Sequence, residues 1–276
     1  MVEKLAGRAA LVSGSGRGIG REIALKLASE GARVVVNDLD AEPAQETAQA
    51  IRDLGGEAVV CAGSVTEDGF ADRFIKTAVD SFGGIDIIVN NAGFTWDTVI
   101  QKMTDEQWHA ILDVHLTAPF QILRAAQPVI GAAARAEAAE GREVFRKVVN
   151  ISSIAGTGGN AGQINYAAAK AGIIGMTKTM AKEWGRYKVN VNAVAFGPIR
   201  TRLTEAPATG DSTIKVEGRE IRVGLSADLI SQMETSIPLG RVGTPEEAAG
   251  AVYLFCIPES NFISGQHIIC GGGFVI

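Results

Sequence analysis

The stretch RAALVSGSGRGIGREIALKLASEGARVVVND, residues 8–38, decides the fold. It opens with RAALVS (8–13), an apolar run of strand length. SGSGRGIG (13–20) follows, with a glycine at every second position from 14 to 20. GIGREIALKLASEG (18–31) places Ile19, Ile23 and Leu27 at helical spacing and stops on a glycine. ARVVVND (32–38) is a second strand. Strand, glycine-rich turn, helix and strand make one βαβ unit, whose two strands lie parallel.

The same alternation runs outward along the chain. Strands are predicted at 57–63, 85–93, 147–153, 188–197 and 265–273. Helices are predicted at 41–56, 66–83 (opened by a Thr66 cap), 104–130, 162–185 and 245–256. The strands read as continuous Val/Ile runs, the mark of a parallel sheet buried on both faces. The expected fold class is α/β: a single Rossmann-type doubly wound parallel sheet with helices on both faces, in one domain over 1–276. Two stretches read as insertions. Residues 131–146 are Ala- and charge-rich and suit an exposed helical extension. Residues 202–236 follow a strand's C-terminal end, carry a hairpin signal at Glu217-Gly218, and suit a substrate lid.

Bulk properties narrow the function. The 276 residues are 46% hydrophobic, enough for a sizeable core. A net charge of −5 argues against a general nucleic-acid binder. The apolar part of the N-terminus is too short and glycine-broken for a signal peptide, and no run reaches the roughly 18 apolar residues of a membrane span. Cys61, Cys256 and Cys270 are scattered without a CxxC pair, and His109, His115 and His267 stand apart, so no disulfide framework and no metal site is expected. The setting predicted is cytoplasmic.

The turn at 13–20 supplies close backbone approach and a helix N-terminus, the elements of a phosphate site, although a bare packing turn has the same look. Asp38 stands about 20 residues beyond it, where a carboxylate accepts the adenosine ribose hydroxyls and repels a 2′-phosphate. The bland alternative is an N-cap for the helix at 41. Arg17 in the turn favours the phosphate. Asp38 is better placed, so NAD is expected ahead of NADP.

These residues are then familiar as a set. SGSGRGIG (13–20), NNAG (90–93), Ser153, YAAAK (166–170) and VNAVAFGPIRT (191–201) occur in the order and spacing of the short-chain dehydrogenase/reductase family, and the chain resembles it from about residue 4 to 273. QINYAAAKAGIIGMTK (163–178) and the SGQ…GGG ending are most similar to the 3-oxoacyl-carrier-protein reductase and hydroxyacyl dehydrogenase branch. The resemblance implies a nicotinamide dinucleotide contacted by Gly14, Ser15, Arg17, Gly18, Ile19 and Gly20, then by Asp38, Ser64, Val65, Asn91, Ala92 and Gly93, and at the nicotinamide end by Tyr166, Lys170, Pro198, Ile199 and Thr201. It implies Ser153, Tyr166 and Lys170 as catalytic, with His115 where the family has a relay asparagine. Asn90 or Asn91 would also tie the sheet together.

Residues i and i+4 share a helix face, so Lys170 lies near the Tyr166 phenol. With oxidised nicotinamide, that cation is expected to lower the phenol from about 10 and make Tyr166 the acid/base. Ser153 would hydrogen-bond the substrate oxygen. His115 is expected either as a buried hydrogen-bonded ring or as a titrating relay member. Ser64-Val65 replaces the family's Asp-Val, so the adenine contact is weaker or uses the hydroxyl.

The implied reaction interconverts a secondary alcohol and a ketone on a small-molecule or 3-oxoacyl/3-hydroxyacyl thioester substrate. The alternatives are a non-acyl secondary alcohol (steroid, cyclic or sugar) and a non-catalytic dinucleotide sensor or scaffold. An acidic carrier protein would need a basic patch, for which Arg124, Arg135, Arg142, Arg146 and Lys147 are candidates, or else a solvated face. No nucleic-acid or membrane partner is expected. The resemblance implies a homotetramer, with small faces such as Ala167, Ala168, Ala171 and Gly175 available for helix pairing.

Overall fold

A computed structural model of the protein describes residues 3–201, 212–224 and 227–274. The opening unit forms as expected, with strand β1 at Ala9–Val12, helix α1 at Gly18–Ser29 and strand β2 at Arg33–Val36. Helix α2 (Ala41–Asp53), β3 (Ala58–Val60), α3 (Phe70–Phe82), β4 (Ile87–Asn90), α4 (Asp105–Leu112), α5 (Ala118–Ala139) and β5 (Arg146–Ser153) follow. The second half contributes α6 (Ile154–Gly158), α7 (Ile164–Trp184), β6 (Val189–Phe196), a hairpin of β7 (Ser212–Val216) and β8 (Arg219–Val223), α8 (Ala227–Ser236), α9 (Pro245–Tyr253) and β9 (His267–Cys270).

Among the described residues the main sheet has seven strands in the order β3-β2-β1-β4-β5-β6-β9. Every neighbouring pair is parallel. The order reverses between β1 and β4, which opens a crevice at the C-terminal strand ends. Successive strand residues face opposite layers. Ala10, Val12, Val34, Val36, Ile87 and Val89 join one core with α1, α2 and α9. Leu11, Val35 and Ile88 join the other, with α3, α4 and α5.

Three local expectations are corrected. The helix foreseen over 104–130 is two helices joined by a π-helical turn at Asp113–Thr117, where the Ala118 N–H donates to the Asp113 carbonyl. One extra residue per turn widens the helix there. Helix α3 begins after Gly69, in the left-handed region at φ 76°, rather than at a Thr66 cap. The extension foreseen over 131–146 is largely exposed but helical only as far as Ala139. Glu137 receives Arg146 through two hydrogen bonds of 2.8 and 2.6 Å, fastening α5 to the start of β5.

The hairpin foreseen at Glu217-Gly218 is present, with Ser212 opposite Val223 and Val216 opposite Arg219. Both turn residues have positive φ, 50° and 79°, as a tight two-residue hairpin turn requires. The rest of the lid segment at 202–211 and 225–226 lies outside the described residues.

Candidate active site

The C-terminal ends of β1, β2, β4, β5 and β6 converge on one cleft. At β1 the turn is built from inward hydrogen bonds. The Ser13 hydroxyl accepts the N–H groups of Asn91 (3.0 Å) and Ala92 (3.1 Å). Ser15 is buried, and its hydroxyl donates to the Val12 carbonyl at 2.8 Å. Gly14 N–H donates to Asn37 Oδ1 at 3.1 Å, and the Asn91 amide bridges the Ser13 and Gly14 carbonyls at 3.0 Å each. A Cβ on Gly20 would stand 2.0 Å from the Gly14 carbonyl oxygen, so α1 can approach the turn this closely only with glycine there. A Cβ on Gly18, at φ +55°, would meet nothing within 4 Å. The first turn of α1 therefore presents open, side-chain-free backbone with unused N–H groups, a cradle that fits a pyrophosphate. Ile19 packs against the core below it.

At β2, Asp38 is mostly buried and its Oδ2 accepts the Gly16 N–H at 3.1 Å. It does not cap α2, whose N-cap residue is Asp40. Arg17 turns to these carboxylates, 3.0 Å from Asp40 and 3.9 Å from Asp38. Both asparagines of NNAG tie elements together: the Asn90 amide donates to Asn150 Oδ1 at 2.8 Å across β4 and β5, and Asn91 holds the turn. Val65 is buried and Ala92 half-buried in the second core. Beyond β6, Gly243 N–H donates to the Pro198 carbonyl and Arg200 N–H to the Gly243 carbonyl, both at 2.9 Å, so Pro198 and Ile199 are held against the cleft with Thr201 beside them.

Ser153 ends β5 and caps the short α6, accepting the Ala155 N–H at 3.2 Å. Tyr166 and Lys170 stand one turn apart on α7, with the ammonium 5.6 Å from the ring centre. Lys170 is buried, and its Nζ donates to the Ile151 carbonyl at 2.7 Å. Loss of water brings its pKa down to about 7. Burial pushes the Tyr166 phenol up to about 12, against a hydrogen bond with Ser153 that lowers it, while the charge of Asp97 raises it further. The lowering expected with oxidised nicotinamide is a property of the loaded site, and in the protein alone the phenol is raised. Desolvation raises the phenol, and it also leaves Lys170 with less charge to offer at neutral pH.

His115 sits in the π-helical turn, 4% exposed. Its ring meets Tyr166 edge-on at 5.0 Å between centres, and Nε2 pairs with the Phe94 carbonyl at 2.7 Å. That partner assigns the proton to Nε2. Burial and the charge of Lys170 hold the ring well below its ordinary pKa, although the Phe94 carbonyl works the other way, so His115 is neutral near pH 7. The same ring fills the space beside Gly93, where a Cβ would stand 1.9 Å from Cε1.

A family model described as Enoyl-(Acyl carrier protein) reductase matches residues 14–275. A 3-oxoacyl-[acyl-carrier-protein] reductase from Synechocystis is 40% identical, covering 99% of this chain and 98% of that protein. One from Vibrio cholerae is 37% identical, with 98% of each covered. A solved structure of a putative short-chain alcohol dehydrogenase from Sinorhizobium meliloti superimposes with a TM-score of 0.84 at 30% identity, covering 99% of this chain and 98% of that one. The chain belongs to the short-chain dehydrogenase/reductase family. As a short-chain dehydrogenase/reductase it is an oxidoreductase acting on CH–OH donors, and it interconverts an alcohol and a ketone.

Several contributors escaped sequence reading. Asn37 bonds the Cys61 (2.9 Å) and Gly63 (3.0 Å) carbonyls and so joins the ends of β2 and β3, yet in VVVND it looks like a strand terminus. Asn165 receives the Tyr166 N–H at 2.8 Å and donates to the Gln107 carbonyl at 3.1 Å, which aims the start of α7. Glu217, from the hairpin, reaches the segment after β3. Of the five basic residues considered for a carrier-protein patch, Arg124 and Arg135 are exposed. Arg146 and Lys147 are buried, and Arg142 is paired with Glu140 at 2.6 Å.

Proposed function

We propose that this short-chain dehydrogenase/reductase is an NAD-preferring enzyme that interconverts 3-oxoacyl and 3-hydroxyacyl thioesters, with Tyr166 as acid/base. The observation that carries the reading is Lys170 buried one helical turn from Tyr166, its ammonium 5.6 Å from the ring centre, with Ser153 beside the phenol. When bound, a nicotinamide dinucleotide supplies or accepts the hydride at the carbinol carbon. Gly14, Gly18 and Gly20 would hold its pyrophosphate, Asp38 its adenosine ribose, and Lys170, Pro198, Ile199 and Thr201 its nicotinamide end.

The chain's own residues handle the proton. With its phenol near 12, Tyr166 is protonated at neutral pH and is a proton donor to a ketone oxygen. Ser153 donates a hydrogen bond to the same oxygen as charge develops on it. Lys170, at about 7, sits near the pH at which it can resupply that proton. In the oxidising direction the positive charge of the oxidised cofactor must first lower the phenol. His115, held neutral, contributes the carbonyl of its widened helical turn rather than a titrating ring.

Thr98, Val99, Ile100, Asn160, Gly162 and Ile164 line a cavity of about 320 Å³ next to the start of α7. Its apolar walls suit an acyl chain. Asp38 carries the NAD preference, because two carboxylates already answer the charge of Arg17. Exposed Phe120, Phe262 and Ile269 support the expected homotetramer.

The test is the initial rate of acetoacetyl-CoA reduction with NADH and with NADPH, followed by nicotinamide absorbance. Faster turnover with NADH supports the reading. Turnover confined to NADPH overturns the cofactor preference, and no turnover with either moves the substrate to non-acyl secondary alcohols.

A further inference from the structure

The cleft can be divided by chemistry. The turn before α1 suits pyrophosphate, Asp38 suits the adenosine ribose, and Ser153 with Tyr166 marks the reacting end. A nucleotide base held in this way would lie beyond Asp38, against the segment that follows β3. That segment is firmly placed: Asn37 holds the Cys61 and Gly63 carbonyls, and the Gly63 N–H donates to the Asp38 carbonyl at 3.0 Å.

A residue 153 positions away is planted on it. Glu217, at the tip of the β7–β8 hairpin, accepts through Oε1 from the Ser64 hydroxyl, and from Thr66 Oγ1 at 2.9 Å. Its Oε2 accepts from Arg219 at 3.0 Å. Arg219 also donates to Glu106 at 2.9 Å and lies 5.8 Å from the centre of the Trp96 ring, on the substrate side of the cleft. Ile221 is 2% exposed in the core beneath. The hairpin thus spans the mouth from the base end to the substrate end and is fastened at both.

This arrangement changes what the base would meet. The Ser64 hydroxyl spends its proton on Glu217, so it has none for a ligand. The group presented instead is a carboxylate, with about four acceptor positions of which three are taken. A carboxylate selects a donor and rejects a carbonyl. Adenine has such a donor in its exocyclic amino group. An aspartate at position 64 would set a second negative charge against Glu217, so serine there and glutamate at the hairpin tip are complementary.

We propose that Glu217 reads the exocyclic amino group of the adenine, so that the β7–β8 hairpin both straps the dinucleotide into the cleft and selects its base. The proposal rests on the dinucleotide-dependent reading above, and the experiment separates the two. Binding of NADH and of reduced nicotinamide hypoxanthine dinucleotide, which carries a 6-oxo group in place of the amino group, is measured by nicotinamide fluorescence. The full-length protein is expected to bind NADH about tenfold tighter or more, the scale of one hydrogen bond to a charged group. Glu217→Ala is expected to bring the ratio near one by weakening NADH alone, with the hypoxanthine form as control for an intact cleft. Adding Ser64→Asp to Glu217→Ala returns a carboxylate from the opposite side and is expected to restore the preference, which a merely structural hairpin contact would not do. An unchanged ratio in Glu217→Ala overturns the proposal. Failure of the wild-type protein to bind either dinucleotide overturns the dinucleotide reading itself.

Discussion

Tyr166 and Lys170 show at the residue scale how burial sets the chemistry. Each loses water, and each shifts toward its neutral form, the phenol to about 12 and the ammonium to about 7. Tyr166→Phe keeps the ring packing and deletes the transferable proton. It should lower kcat by roughly 10²–10⁴-fold, the usual worth of an acid/base, while the Kd for NADH stays within about twofold. Full turnover would remove Tyr166 from the reaction. Asp38→Ala removes the carboxylate at the ribose position and should narrow the gap between the NADH and NADPH Kd values. An unchanged ratio would deny Asp38 its discriminating role. His115 was legible in sequence only as a departure from a family pattern. Its burial and its Phe94 partner make it a neutral donor, so His115→Asn should leave the limbs of the kcat/KM–pH profile between pH 5 and 8 where they are. A displaced limb would return the ring to the proton relay.

At the scale of elements, local rules and tertiary demands part company. Helices α4 and α9 begin where capping boxes stand, Thr104 with Gln107 and Thr244 with Glu247, and such starts can be read from four residues. The π-helical turn at Asp113–Thr117 cannot, because the helical pattern of 104–118 runs through it without a glycine or proline. What favours the extra residue is the burial of His115 against Phe94 and Tyr166. The glycine turn belongs to this scale as well. Gly20→Ala forces a Cβ against the Gly14 carbonyl, a backbone atom that cannot step aside. The variant should bind NADH at least tenfold more weakly and unfold at lower temperature by calorimetry, through local strain of order 1–3 kcal/mol. Wild-type affinity with an unchanged Tm would mean that α1 can retreat from the turn.

Across the whole molecule, the sheet buries charge far from the cleft. Lys147, 4% exposed in β5, donates to Asn190 (2.9 Å), Ser260 (3.1 Å) and Asn261 (2.8 Å), and burial lowers its pKa to about 8. The unfolded chain holds that proton up to about 10.4 and the folded chain releases it near 8, so stability rises with pH between these values. Lys147→Met should flatten the rise, by about 3 kcal/mol at most, in urea unfolding at pH 7.5, 9 and 10. Equal slopes in the two proteins would show that Lys147 is hydrated. The sequence alone determined the βαβ alternation, the glycine turn, the hairpin at Glu217-Gly218 and the shared helix face of Tyr166 and Lys170. Each of these is a short-range pattern, set by backbone conformation or by residues one helical turn apart. Only the tertiary structure decided that burial raises the Tyr166 phenol in the protein alone, that Arg146 and Lys147 are buried in β5, and that Glu217 meets Ser64 and Thr66. Desolvation and contacts between residues more than 150 positions apart arise when the sheet brings its strand ends together, and no local pattern encodes them.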